Sequence, residues 1–163
     1  TLHANNANQA LDRILHFFPE DARDQILMDL SLNLRAIVAQ RLIRKSDGSG
    51  RRAAVEVLIN TPLASDLIKK GDIHKLKDLM KRSTEHGMIT FDQCIYNLYR
   101  QGEITYEDAL ANADSANEVR LMVKLGTEDA GRPSRGAVDG QQVMETSSLV
   151  QRIGLVNEDD ESF

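Results

Sequence analysis

The sequence predicts an α/β fold that is mostly helical, with one β-hairpin set between helices, a run of short capped helices, and then a polar tail. Three observations carry this prediction. Apolar residues recur at helical spacing on both sides of residues 36–59. Inside that stretch, two β-rich runs flank a Ser46-Asp47-Gly48-Ser49-Gly50 turn. After Gly126 the periodicity fails, and Gly, Ser, Thr, Asp, Glu and Gln dominate around Pro133, a composition that buries too little apolar area to offset its ordering entropy.

At 163 residues the chain makes one domain, or one domain plus a tail. Trp is absent and only four Phe and three Tyr are present, so aliphatic side chains must supply most of the core. The single cysteine, Cys94, permits no internal disulfide and fits a reducing compartment. No apolar run approaches the roughly 18 residues that span a membrane, and the expected location is cytoplasmic. The net charge of −5 lies in residues 126–163, which hold eight acids against three arginines, while the rest of the chain balances to zero. The body therefore carries no charge bias towards nucleic acid or acidic membranes, and no nucleic-acid partner is expected.

In order, Thr1-Leu2-His3-Ala4-Asn5-Asn6 reads as the last turn of a strand whose earlier part is missing. Ala10, Leu11, Ile14, Leu15 and Phe18 make one helical face, with Asn6 or Asn8 as cap and Pro19 as stop. A second helix starts near Glu20 and Asp21 and is apolar on more than one side through Ile26, Leu27, Met28, Leu30, Leu32 and Leu34, which predicts burial. The hairpin follows, from Ala36 to Ile59. Arg41, Arg44, Lys45, Arg51 and Arg52 cluster near its tip, as a phosphate or nucleic-acid contact or as a solvated end that protects strand edges; the absence of interleaved aromatics favours the second.

Helices then follow one another. Thr61 with Pro62 opens one and Gly71 closes it. The next runs from about Ile73 to Glu85, closed by Gly87; Thr90, Thr105 and Ser115 cap three more. Their apolar stripes read as core. In the tail, Leu149, Val150 and Ile153 lie at helical spacing, either as a partner-docking peptide of the helix-in-groove kind or as a less polar patch of linker. His16, His74 and His86 lack metal-ligand spacing. A phosphate cradle of the form Gly-x4-Gly-Lys-Ser/Thr is absent, since no glycine here is followed by lysine.

Thr1-Leu2-His3-Ala4-Asn5, Ala10-Leu11-Asp12-Arg13-Ile14, Phe18-Pro19, Val38-Ala39-Gln40-Arg41-Leu42-Ile43 and Ala54 through Pro62 together resemble the His-box region of type IV pilus retraction ATPases, the PilT/PilU family of the secretion-ATPase superfamily, over about residues 1–125. The resemblance implies the C-terminal part of a RecA-like P-loop ATPase domain (residues 1–60), a small all-helical subdomain (61–125) and an acidic, disordered tail (126–163). It implies a hexameric motor that couples ATP hydrolysis to pilus retraction and twitching motility. ATP and Mg²⁺ would be bound mainly by a phosphate loop and acidic boxes upstream of Thr1, so this chain alone is expected to be inactive. His3 takes the role of phosphate sensor, donating an imidazole N–H to a phosphate oxygen. Arg13 matches a family arginine, either ion-paired with an acidic box or simply a surface residue.

Where PilT-type motors carry Ala-Ile-Arg-Asn-Leu-Ile after the Thr-Pro step, this chain has Leu63-Ala64-Ser65-Asp66-Leu67-Ile68, with Ser65 in place of the arginine. That departure and the tail resemble the PilU-like branch, an accessory ATPase beside a PilT-like motor. The resemblance implies as partners further copies of the chain, that motor and the pilus platform protein of the inner membrane, at the cytoplasmic face of the pilus base. The missing phosphate loop keeps a second class open, a non-catalytic helical interaction module. The missing strands would leave an exposed apolar sheet edge.

Overall fold

The computed structural model describes residues 2–130. Helix α1 (Ala7–His16) begins where the sequence places a cap: the Asn6 side chain accepts from the Gln9 amide. The segment before it is not a strand. Leu2–Asn5 is irregular and has no ladder partner among the described residues, because a strand exists only where another backbone satisfies its N–H and C=O groups. After Pro19, a 3-10 turn at Glu20–Ala22 leads into α2 (Arg23–Asn33).

Helix α2 is less buried than its composition predicts. Leu27 and Ser31 face inward, whereas Leu32 is 71% exposed and Ile26, Met28 and Leu30 are half-buried. It packs chiefly against α3 (Pro62–Lys69), so its opposite side faces outward with its apolar residues still on it.

Strands β1 (Ala36–Arg44) and β2 (Arg51–Ile59) form an antiparallel pair with Ala36 opposite Ile59 and Arg44 opposite Arg51. Side chains alternate across the sheet. Ile37, Ala39, Arg41 and Ile43 share one face with Leu58, Glu56, Ala54 and Arg52. Val38, Gln40, Leu42 and Arg44 share the other. The outer edge of β2 is covered: Val57 exchanges both backbone hydrogen bonds with Ile89, and the Val55 amide donates to Cys94 Sγ at 3.3 Å. Strand β1 has no second neighbour among the described residues, and on its outer face Val38 is 47% and Leu42 53% exposed.

Thr61 caps α3 by accepting from the Ala64 amide. The expected helix from Ile73 to Glu85 is divided into a 3-10 turn (Ile73–Lys75), α4 (Leu76–Arg82) and a second 3-10 turn (Thr84–His86), closed by Gly87 at φ 82°. A capping box between Thr90 and Gln93 opens α5 (Phe91–Arg100), and Thr105 caps α6 (Tyr106–Asn112). Helix α7 (Ala116–Ala130) runs past Gly126, where the sequence pattern fails. Gly126 serves close approach there and is not a stop: a Cβ at this position would lie 2.0 Å from Tyr96 Oη of α5.

Two apolar cores form, and both take residues from either side of position 60. The first joins Leu11, Leu58, Ile68 and Leu76. The second joins Ile43, Phe91, Ile95 and Val119. On the inner face of β2, Leu58 belongs to the first core and Ala54 to the second, with Glu56 between them.

Candidate functional site: the His3 segment and the polar junction behind it

His3 is exposed, four residues before α1, and its backbone carbonyl accepts from Arg13 Nη1 on the first helix. The structure thus brings the two sequence-predicted residues together, with Arg13 holding the segment through a carbonyl; no ion pair forms on Arg13 among the described residues. Leu149, Val150 and Ile153 lie outside the described residues. His16 Nδ1 bonds the Asp12 carbonyl at 2.6 Å, and His74 is exposed.

Behind the His3 segment lies a buried junction of charges. Glu56, 2% exposed, accepts from the Ala7 amide at 2.8 Å with one oxygen and from the Phe91 amide at 3.2 Å with the other. One carboxylate therefore satisfies orphan donors at the first turns of both α1 and α5, where the helix dipole also favours negative charge. Burial pushes the Glu56 pKa up, and these two amides offset only part of that push. Asp92, 1% exposed, accepts from the Asp114 and Ser115 amides at 2.8 and 3.1 Å and from Lys77 Nζ at 3.1 Å. Lys77 also lies 3.6 Å from Asp114. Burial pulls the Lys77 ammonium down, but its bond to Asp92 and the charges of Asp92, Asp114 and Glu118 outweigh it and leave the pKa raised.

Arg41 completes the junction, and here the structure corrects the sequence reading. Arg41 does not belong to the basic hairpin tip. It lies on the inner face, with its guanidinium 4.8 Å from the centre of the Phe91 ring, 3.4 Å from Asp114 and within hydrogen-bond reach of the Asn5 and Asn112 carbonyls. The tip keeps Arg44, Lys45 and Arg51, with Arg52 3.4 Å from Glu103. Sequence reasoning missed Glu56, Asp92 and Asp114. The signal for Glu56 was available: one acid inside Ala54-Val55-Glu56-Val57-Leu58, where an apolar run predicts burial.

Ser65, the residue at the altered motif position, is half-buried and donates its hydroxyl to the Ser31 carbonyl at 2.7 Å, tying α3 to α2. Cys94 is buried, and burial raises its thiol pKa, which keeps it protonated and unreactive at neutral pH. Among the described residues no three His, Cys, Asp or Glu side chains gather as metal ligands, and no helix is long and apolar enough to cross a membrane.

No family model matches the chain. Type IV pilus ATPase PilU of Pseudomonas aeruginosa is 73% identical over 128 residues, covering 78% of this chain and 34% of that protein. The chain belongs to the PilT/PilU family of type IV pilus ATPases. The family's fold is present as well. The crystal structure of the pilus retraction motor PilT with bound ADP superposes with a TM-score of 0.67 at 35% identity, over 75% of this chain and 34% of that one. The DotB ATPase of Yersinia pseudotuberculosis gives 0.57 at 28% identity, over 68% of this chain and 28% of its own. The chain thus spans about a third of the length of the PilT/PilU relatives it matches.

Proposed function

We propose that this chain is part of a PilU-like motor ATPase, in which it carries the phosphate-sensing His3 and the helical layer that responds to it. The observation that carries the reading is the His3 segment itself. An exposed imidazole stands before a capped helix N-terminus, on a backbone fastened by Arg13 and Arg41, and the chain around it is 73% identical to a pilus ATPase. A fixed N–H donor beside a transferring phosphate stabilises developing charge without reorganising.

The full motor is a hexamer that hydrolyses ATP with Mg²⁺ to drive pilus retraction, at the cytoplasmic face of the inner membrane, against the platform protein and beside a PilT-like motor. His3 and Arg13 fit contact with the nucleotide's phosphate end, whereas the described residues hold no ligand set for the metal. Phosphate binding through a Gly-x4-Gly-Lys-Ser/Thr loop falls to other parts of the motor. The accessory character rests on Ser65, which makes a hydroxyl bond to α2 where PilT-type motors carry an arginine. Residues 1–60 and 61–125 then act as the sheet side and helical side of one unit.

In the full-length ATPase, His3→Ala is expected to lower turnover about a hundredfold while nucleotide affinity is kept. Unchanged turnover would remove the sensor role. The 163-residue chain alone is expected to show no ATP hydrolysis.

A further inference from the structure

We propose that Arg41 and Asp114 form a positioning latch that holds the His3 segment in register with the start of α5 and with the α6–α7 connection. The residues involved come from four places in the chain and converge on one guanidinium. Arg41 Nη2 reaches the Asn5 carbonyl and Asp114 Oδ1, each at 3.4 Å. Arg41 Nη1 donates to the Asn112 carbonyl at the end of α6. The guanidinium carbon lies over the ring of Phe91, the first residue of α5, 4.8 Å from its centre. Asp114 closes the circle: its other oxygen accepts from the Asn6 side-chain amide at 3.0 Å.

Arginine suits this position because its planar fork carries five donors in fixed geometry, enough to serve two carbonyls and a carboxylate at once while the face stacks on a ring. Asp114 is itself fixed, since its amide and that of Ser115 donate to the buried Asp92. The His3 segment is thereby tied on one side to α1 by Arg13 and on the other to the helical layer by the latch. Displacing the α6–α7 connection moves Asn5 and Asn6, two and three residues from His3. A phosphate contact that pulls on His3 is felt at Asp114.

The functional consequence rests on the phosphate-contact reading of His3, and the test separates the two. Arg41→Lys keeps the charge but loses the fork; Asp114→Asn keeps an acceptor for Asn6 but loses the ion pair. Both are measured in the full-length motor by hydrogen exchange and by ATP turnover, beside His3→Ala. Amide exchange at Asn5 and Ala7 is expected to rise about tenfold or more in either variant, with the α5 core amides Ile95 and Leu98 unchanged. The double variant should equal the singles, because either change opens the same latch. Turnover should fall through kcat with KM held. Exchange that stays at the wild-type rate, or that rises equally at Ile95, overturns the latch. Should His3→Ala leave turnover intact while Asn5 and Ala7 exchange faster in the latch variants, the sensor reading fails and the latch stands.

Discussion

Arg41 and Arg44 lie three residues apart on one strand and do opposite things. Arg41 faces inward, where a carboxylate, two carbonyls and an aromatic ring surround it. Arg44 faces outward, directly across from Arg51 in the hairpin register, so that two like charges stand side by side in solvent. At the junction every charge is answered: Glu56 by two helix amides, Asp92 by two amides and Lys77, Asp114 by Arg41 and Asn6. At the tip, Arg44 and Arg51 are exposed to solvent, and Arg52 lies 3.4 Å from Glu103. Residue type does not separate the two regions. The parity of the position does, because a one-residue step along a strand exchanges core for solvent.

Three substitutions sharpen the contrast. Phe91→Ala should have the largest effect, about 3–5 kcal/mol of lost stability in denaturant unfolding, since it removes a fully buried ring from the second core and the surface on which Arg41 stacks. A loss of well under 1 kcal/mol would mean that the junction does not depend on this core.

Glu56→Gln comes next, at about 1–3 kcal/mol, because an amide nitrogen then faces a backbone N–H that the carboxylate satisfied. The effect has a sign in pH. Burial raises the folded pKa of Glu56 above its ordinary value of 4.5, so the folded wild type holds this proton more tightly than the unfolded chain does. Wild-type stability relative to Glu56→Gln is greatest below 4.5 and declines as pH rises through the folded value. Urea titrations across that window should show the gap narrowing upward; a widening gap would reverse the assignment of burial as the dominant cause.

The smallest effect belongs to the tip. Arg51→Glu turns the like-charged cross-strand pair with Arg44 into an attractive one and should stabilise by about 0.2–1 kcal/mol, with the gain shrinking as salt is added. Any loss at low salt would show that Arg51 has a partner of its own.

Local signals in the chain were legible where the chemistry is local. Asn6, Thr61, Thr90 and Thr105 cap the helices they precede, because a side-chain oxygen needs only the next turn's amide to act. The hairpin was equally plain from its two β-rich runs and the Gly48-Ser49-Gly50 turn. His3 and Arg13 were found through resemblance, and their proximity needs only about two helical turns after a cap. The exposure of α2 was not legible: Leu30 and Leu32 announce apolarity, but which side meets a neighbour depends on α3, some thirty residues later.

What the sequence determined by itself is therefore the hairpin, most of the helices and their caps, each carried by residues within a few positions of one another, and the family, carried by motifs between Thr1 and Pro62. What only the tertiary structure decided is the junction. Asn5, Arg41, Glu56, Phe91, Asp92 and Asp114 are dispersed over more than a hundred residues, and no pattern of spacing links them. They meet because burying the inner face of β2 forces Glu56 between two cores, and a buried carboxylate takes its donors from whichever helix N-termini are within reach.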